Sequence, residues 1–235
     1  MIYDNRPQYD AICTFLKSYS ELKKFSYYNM YCSKWLKLLK YHSINDFFYI
    51  TQDVLETDQV YVYSFEIYNV PFNLSFLIPY IRRMYQIDSN LFRKCNMSVR
   101  DGLRFNNEIC KYNHYENSAQ IEYGNEIANT FFTCIYTKKP TYIVLDGNHR
   151  ISQQVNNGVN EIISNYCPSE IAARSLISSF QAAVYVFLED CYKMLSMKGS
   201  ENYIKRNLSI FNSDSFINNI EKRNNKKTEP SFLAL

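Results

Sequence analysis

The chain has 235 residues, of which 46% are hydrophobic and 17% aromatic, and its formal net charge is +3. A chain of this length and composition can bury a sizeable core, so we expect a globular protein of one domain or of one domain with an appendage. A net charge of +3 does not by itself imply binding to nucleic acid, because proteins that bind a phosphate backbone usually concentrate basic residues on one face.

The first predicted elements are two amphipathic helices within residues 1–42. Asn5 followed by Pro7 is typical of a helix start, and apolar side chains then recur at steps of three and four residues. A second apolar stripe contains Trp35 and has lysines on the other helix faces. We interpret residues 1–58 as a helical N-terminal extension with a basic surface.

The next predicted element is a strand over residues 60–67, which are mostly β-branched and aromatic. Asn73 is then in a position to cap a helix, which Pro79 must kink or restart. Residues 88–116 are polar, aromatic and poorly periodic, so we expect irregular structure with short helices there.

The middle of the chain has a helical pattern over residues 118–132 and then a short apolar strand over residues 141–145. A short helix over residues 151–157 is expected to end at Gly158, as a helix ending in a left-handed residue would. Residues 159–164 have the pattern of another strand. A strand, a turn, a short helix and a strand form a βαβ-like unit, which is normally built on a parallel or mixed sheet.

The strongest helical pattern of the chain lies after Pro168 and runs to about residue 195. Together these elements predict an α/β (α+β) fold with N-terminal and C-terminal helices on either side of a core. The predicted domains are residues 1–58 (helical extension), 59–166 (core) and 167–235 (C-terminal helices).

The location and redox state of the protein follow from what the sequence lacks. No run of about 18 uncharged apolar residues is present, and residues 1–6 carry acidic and polar groups where a signal peptide would be basic and then apolar. We therefore expect a cytoplasmic protein without a membrane partner. The seven cysteines form no C-x-x-C pair, so we expect reduced thiols and no structural disulfide.

The sequence D-G-N-H-R at residues 146–150 joins the end of a predicted strand to the start of a predicted helix. Gly147 can take a positive φ, and the N–H groups that follow at a helix N-terminus attract anions. Arg150 offers a planar fork for phosphate oxygens, and Asn148 supplies an amide. His149 can donate to phosphate or move a proton, and Asp146 can hold Mg²⁺ or act as a base.

A plain turn is the alternative interpretation of these residues, with His149 and Arg150 exposed on the first turn of a helix. Positive charge at that position opposes the helix dipole, so it costs stability unless an anion or Asp146 compensates. We therefore predict a phosphate site formed by Gly147, Asn148, His149 and Arg150. Asp146 and His149 are the candidate catalytic residues, and Asp146 is the candidate metal ligand.

The stretch Y-I-V-L-D-G-N-H-R at residues 142–150, with Gln154, Gly158 and a strand after it, resembles the signature of the ParB/sulfiredoxin-like superfamily. The resemblance implies a mixed-sheet core over residues 59–166 and a nucleotide phosphate bound at the turn. Members of the superfamily include partition proteins that use CTP, sulfiredoxins that use ATP, a free-serine kinase and proteins labelled nucleases, so the fold alone does not fix the activity.

Two departures from the superfamily pattern narrow what the resemblance implies. Asn148 stands where sulfiredoxins have their reactive cysteine, and the sequence N-H-R replaces the Glu-Arg-Arg pattern of partition proteins. The D-G-x-H-R form is more similar to the free-serine kinase branch, which also uses a glutamate from the first strand region as a base. Glu66 is the corresponding candidate, with an outward-facing strand residue as the alternative. The long separation of Glu66 from Asp146 implies an insertion around residues 88–128.

Three functions therefore compete at this stage. The leading hypothesis is a nucleotide-binding Mg²⁺-dependent phosphotransferase or nucleotide hydrolase, whose cofactors are Mg²⁺ and a nucleoside di- or triphosphate. The second is a DNA-binding protein or nuclease of the ParB-like class, with the lysine-rich N-terminal helices as a docking face. The third is a non-catalytic protein-binding module.

Overall fold

The computed structural model describes residues 4–46, 60–99, 102–115, 130–137 and 139–218. They form two compact units, and the chain contributes several separate segments to each. Unit 1 contains the described parts of Met1–Ile50, Tyr63–Leu74 and Ile177–Leu235. Unit 2 contains the described parts of Thr51–Val62 and Ser75–Leu176. Helices and strands are both abundant, so the predicted mixed α/β class is confirmed.

The α-helices of the described chain are α1 (Arg6–Ser18), α2 (Tyr28–Ile44), α3 (Ile78–Ile87), α4 (Asn148–Asn156), α5 (Ser169–Arg174), α6 (Ser179–Ser196) and α7 (Glu201–Arg206). Short 3₁₀ helices lie at Ser20–Lys24, Ser89–Leu91 and Ser209–Phe211. The strands are β1 (Val60–Ile67), β2 (Val70–Leu77), β3 (Arg93–Ser98), β4 (Arg104–Phe105), β5 (Glu108–Lys111), β6 (Phe131–Tyr136), β7 (Pro140–Asp146) and β8 (Glu161–Tyr166).

Unit 1 is built on α1, α2 and α6, and the predicted N-terminal pair of helices is confirmed. The apolar stripe of α2 is buried, and Trp35 is fully enclosed. The rings of Trp35 and of Phe187 on α6 are packed edge to face, with centroids 5.5 Å apart. Phe15 of α1 meets the same phenyl ring at 6.1 Å. The apolar stripes of α1 and α2 therefore pack against α6.

Two carboxylates fix the backbone around α6. Asp46 accepts hydrogen bonds from the Ser179 hydroxyl and the Phe180 N–H, both at 3.0 Å, and so places negative charge at the N-terminus of α6. Asp190 is fully buried and accepts the N–H groups of Ser209 and Ile210 at 2.8 and 3.1 Å. Burial raises the pKa of Asp190 to about 7, although both N–H groups favour the carboxylate.

Strands β1 and β2 form a hairpin, so the predicted helix capped by Asn73 is wrong. Tyr68 and Asn69 form its two-residue turn, with φ values of 50° and 61°. Two consecutive left-handed residues make the tight turn that suits a right-twisted hairpin. Helix α3 begins at Ile78, and Pro79 lies in its first turn, where a missing N–H costs nothing.

Strands β3 to β8 close into a barrel in unit 2, in the order β3-β4-β5-β7-β6-β8. Pairing of β3 with β8 closes it, with Arg93 opposite Tyr166. The interior is apolar and is filled by Met97, Leu103, Phe105, Cys110, Phe132, Val144, Ile151 and Ile162. One of these residues, Ile151, comes from α4, so the barrel core holds the first turns of that helix against the strands.

The barrel corrects the prediction of a βαβ-like unit at residues 141–164. Strand β6 lies between β7 and β8, antiparallel to β7 and parallel to β8. Strands β7 and β8 therefore run in opposite directions, and α4 does not connect parallel neighbours. The sequence does not show this order, because the strand between β7 and β8 comes before both of them in the chain. In addition, the pattern that contains Phe131 and Phe132 predicts a helix and not a strand.

Two further expectations differ from the structure. Residues 88–116 are predicted to be irregular, but the described residues of this segment supply β3, β4 and β5 of the barrel. The helical pattern after Pro168 is broken into α5 and α6. Leu176 forms a β-bridge with Phe76, and the Ser175 carbonyl accepts from the Leu77 N–H at 2.8 Å, which takes this backbone out of the helix.

The remaining expectations concern the thiols, membrane-crossing helices and the basic residues. All seven cysteines lie in the described chain as free thiols, and four of them are buried. None of the described helices combines the length and the apolar character that crossing a membrane requires. The basic residues Lys222, Arg223, Lys226 and Lys227 lie outside the described residues. The lysines of α1, α2 and the 3₁₀ helix between them are exposed.

Candidate functional site

The turn between β7 and α4 is left-handed at Gly147, which has a φ of 92°. A Cβ atom at this position would lie 2.7 Å from the hydroxyl oxygen of Thr130 and 2.9 Å from Nη2 of Arg150. Both distances are too short for a real contact, so a side chain at this position would require Thr130 or Arg150 to move and would also be strained by the positive φ.

The first turn of α4 presents donors. The Ile151 N–H bonds to the Gly147 carbonyl at 2.9 Å and begins the helical ladder. The N–H groups of residues 148–150 therefore have no partner inside the helix, and they carry the positive end of its dipole. No acidic residue lies in this turn, which instead carries His149 and Arg150. The guanidinium group of Arg150 lies beside Gly147, with Nη2 2.9 Å from the position that a Cβ of Gly147 would take.

Asp146 forms a two-point ion pair with Arg82 of α3. Nε and Nη2 of Arg82 donate to the two carboxylate oxygens at 2.7 and 2.9 Å. The side chain of Asp146 is 12% exposed and that of Arg82 is 53% exposed. The hydrogen bond to Asp146 raises the pKa of Arg82 above its ordinary value. Both oxygens of the carboxylate that was predicted to hold a metal are thus engaged by a cation of the chain itself.

A short segment that follows β5, residues 112–115, is bound to the start of α4. The Asn113 N–H donates to Oδ1 of Asn148 at 2.8 Å, and the Tyr115 N–H donates to the Ser152 hydroxyl at 3.0 Å. The phenol ring of Tyr115 stacks on the imidazole of His149, with centroids 3.7 Å apart and planes 20° apart. The stack fixes the orientation of His149, whose side chain is otherwise exposed. The amide oxygen of Asn148 accepts a hydrogen bond from the segment before it and so holds that segment at the turn.

The side chains around Gly147 carry a net positive charge. The two guanidinium groups of Arg82 and Arg150 outnumber the one carboxylate of Asp146, and the helix N-terminus adds to the positive potential. No group of three or more His, Cys, Asp or Glu side chains that could hold a metal ion comes together in the described part of the chain. The charges around the turn therefore favour an anion, and Mg²⁺ as a cofactor stays a prediction.

The predicted site residues are thus brought together in part. Asp146, Gly147, Asn148, His149 and Arg150 form the junction of β7 and α4 as expected. Glu66 lies on β1, exposed, in the segment assigned to unit 1, whereas the turn belongs to unit 2. Its role as a base stays a prediction.

Four residues of the site were missed by the sequence analysis: Arg82, Asn113, Tyr115 and Thr130. All four lie well before the turn in the chain. Thr130 is 17 residues before Gly147, and Arg82 is 64 residues before Asp146. No local motif links them to the turn. The unbalanced positive charge of H-R at a helix start indicated that a negative partner was needed. No signal in the sequence indicated Arg82, a further cation, as the partner of Asp146.

The comparisons with known proteins leave the site to be judged on its geometry. No protein-family model matches the chain, and neither the curated proteins nor the solved structures contain a match.

Proposed function

We propose that the turn at residues 146–150 binds a phosphate group of a nucleotide. The observation that carries the proposal is the positive N-terminus of α4 at Gly147, with Arg150 beside the glycine and the Asp146 carboxylate neutralised by Arg82. A phosphate there would accept hydrogen bonds from backbone N–H groups and from a planar guanidinium group, which is the combination that anion sites at helix starts use.

The nucleotide component of the proposal is supported by the resemblance of residues 142–150 to the ParB/sulfiredoxin-like signature. In line with that resemblance, we propose that the barrel is a ParB/sulfiredoxin-like core and that the protein transfers or hydrolyses a phosphoryl group. Arg150 and the N–H groups of α4 would stabilise negative charge on the phosphoryl oxygens. His149, held in place by Tyr115, would donate or accept a proton at the phosphate.

Ligand binding by the purified chain is the test of this proposal. A thermal-shift panel should contain inorganic pyrophosphate, the common nucleoside di- and triphosphates, and a short DNA duplex, each with Mg²⁺ and with EDTA. A ligand present at one hundred times its Kd adds about 2.7 kcal/mol to the free energy of unfolding. We expect pyrophosphate and at least one nucleotide to stabilise the protein.

Replacement of Arg150 by Ala should weaken phosphate binding by roughly 1.5 to 3 kcal/mol, the range for hydrogen bonds to charged groups. Isothermal titration with pyrophosphate measures the loss. Arg83→Ala is the matched control, because Arg83 is an exposed arginine of α3 and its removal changes the net charge equally. Normal binding by Arg150→Ala together with a lower melting temperature would show that Arg150 is structural and would contradict the proposal.

The two alternative functions predict other results in the same panel. A DNA-binding protein would respond to the duplex and not to nucleotides, with affinity that falls steeply as salt increases. A protein-binding module would respond to none of the ligands. Either pattern would count against a nucleotide site.

A further inference from the structure

We infer that the outer face of α2 docks on a membrane surface that contains anionic lipids. This face lies in unit 1, whereas the phosphate site at residues 146–150 lies in unit 2, so a test of one does not depend on the other. Contact with the surface of a bilayer needs no segment that crosses it. The sequence-based expectation of no membrane partner rested on the lack of a crossing segment and of a signal peptide.

The outer face of α2 carries a stripe in which lysines and large apolar side chains are mixed. Members of the stripe recur at steps of four and three residues, which is the spacing of one helix face. They are Met30, Lys34, Lys37, Tyr41 and Ile44, and Lys40 lies beside them. All six are exposed, whereas the apolar stripe that contains Trp35 is buried on the opposite side of the helix. The outer stripe is therefore no part of the core of unit 1.

Three large apolar side chains of this stripe are in contact with solvent. Met30 is 42%, Tyr41 39% and Ile44 63% exposed. A single exposed apolar residue is common on a protein surface, but these three share one stripe and lie near its two ends, with lysines between them. At a bilayer surface, apolar side chains enter the boundary between headgroups and acyl chains while ammonium groups stay at the headgroups. The stripe has the composition that such a boundary requires.

The lysines of this face lack negative partners. The sequence of α2 contains no aspartate or glutamate. Within the part of the chain that the structure describes, Lys34, Lys37 and Lys40 form no ion pair. Lysines three residues apart on a helix repel each other, and this repulsion destabilises the helix. A surface of anionic lipids would supply the missing negative charge.

Positive charge from a second element lies beside the same face. The ammonium groups of Lys34 and of Lys205 on α7 lie 5.4 and 5.1 Å from the centroid of the Phe211 ring. The carboxylate of Glu201, also on α7, accepts the N–H and hydroxyl groups of Ser26 at 3.1 and 2.5 Å. The basic surface therefore extends beyond one helix stripe, which suits an extended anionic surface better than a short acidic segment of a protein.

Nucleic acid is the other extended polyanion that lysines contact. Its phosphate backbone would use the ammonium groups but would leave Met30 and Ile44 without an apolar partner. A bilayer uses both kinds of side chain, because each lysine near anionic lipid strengthens binding by about fivefold and each inserted apolar group adds to this. The mixed composition of the stripe therefore favours the lipid surface.

The experiment measures sedimentation of the full chain with vesicles of phosphatidylcholine, alone or mixed with phosphatidylserine, at low and high salt. We expect wild type to bind the mixed vesicles, and to bind them more weakly at high salt. Replacement of Lys34, Lys37 and Lys40 together by Gln should weaken binding on the order of a hundredfold, since each lysine contributes about fivefold. The matched control carries the same change at three exposed lysines of unit 2, Lys94, Lys111 and Lys139. It should bind within about twofold of wild type, because the charge that it loses lies outside the docking face.

Ile44→Ser distinguishes a lipid surface from other polyanions, because it removes an apolar side chain and keeps every charge. We expect it to bind the mixed vesicles about threefold or more weakly than wild type at both salt concentrations, and to bind a short DNA duplex as wild type does. Gln is a good helix former, so the melting temperature of the triple variant should stay that of wild type.

Several results would overturn the inference. They are a wild type that does not bind the mixed vesicles, two triple variants that bind them equally well, and an Ile44→Ser variant that binds them as wild type does. If the change at Lys34, Lys37 and Lys40 weakens binding to the duplex and not to the vesicles, the face binds nucleic acid and not lipid. The phosphate site at residues 146–150 stands or falls separately in each case.

Discussion

At the scale of single residues, Gly147 is held by two independent constraints. Its φ of 92° lies in the left-handed region, and a Cβ would collide with the buried Thr130 hydroxyl and with Arg150. Gly158 shares only the first constraint, because its φ is 72° and no atom lies within 4 Å of its missing Cβ. A comparison of substitutions at the two glycines therefore distinguishes the cost of backbone strain from the cost of crowding at Gly147.

We predict that Gly147→Ala destabilises the protein more than Gly158→Ala does. Both substitutions should cost about 1 to 2 kcal/mol for a left-handed residue with a Cβ. Gly147→Ala should cost more because Thr130 or Arg150 must move, and it should also weaken pyrophosphate binding. Urea unfolding measures the first effect and calorimetric titration the second. Equal losses of stability for the two variants would show that the crowding at Gly147 is relieved without cost.

The residues of the site show what sequence can and cannot predict. A positive φ at Gly147 follows from its position between a strand and a helix, and the unbalanced charge of His149 and Arg150 is visible in the sequence. The ion pair of Asp146 is not visible, because its partner lies 64 residues earlier on another element. The role of Asp146 as a metal ligand stays a prediction, to which the structure adds the ion pair with Arg82.

At the scale of elements, helix α2 carries an unusual buried residue. His42 has no exposed surface, and neither of its ring nitrogens has a hydrogen-bond partner among the described residues. Burial lowers the pKa of His42 to about 4 from the ordinary value of 6.5. Between these two pH values the unfolded chain binds more protons than the folded chain, so acid favours unfolding. The stabilisation is fully present above pH 6.5 and is lost as the pH falls towards 4.

We predict that His42→Leu removes a pH dependence of stability from the protein. Wild type should lose up to about 3 kcal/mol of unfolding free energy between pH 6.5 and pH 4 through this group, because the shift is about 2.5 pKa units. The fluorescence of Trp35, on the same helix, reports the unfolding transition. His114→Gln is the control, since His114 is exposed. A parallel fall in stability for His42→Leu and wild type would assign the acid sensitivity to other groups.

The sequence predicted those elements whose conformation follows from the spacing of their own apolar side chains. The stripes of α1 and α2 and the strands β1 and β7 follow from side-chain spacing alone. The predictions failed where a partner distant in sequence decided the conformation. The bridge of Leu176 to Phe76 interrupts a helical pattern.

At the scale of the whole molecule, each of the two compact units combines segments that are separate in the chain. The sequence predicted boundaries at residues 58 and 166, and these boundaries stay a prediction. In the structure, unit 1 combines the N-terminal helices with the C-terminal segment, which lies more than 100 residues away along the chain. Local patterns cannot show this association, because an amphipathic stripe indicates that a helix is covered and does not indicate by which segment.

The last prediction tests whether the two ends of the chain share one core. Phe187 of α6 is fully buried and meets the rings of both Phe15 and Trp35, so it joins α1 and α2 to the C-terminal segment. Phe187→Ala should lower the free energy of unfolding by about 3 to 5 kcal/mol, the range for removing a buried phenyl ring. The emission of Trp35 in the folded state should change, because the indole loses a ring that packs against it. Tyr203→Ala, which removes an exposed ring of unit 1, should change neither quantity. If Phe187→Ala and Tyr203→Ala unfold at the same urea concentration, the N-terminal helices do not depend on α6 for their core.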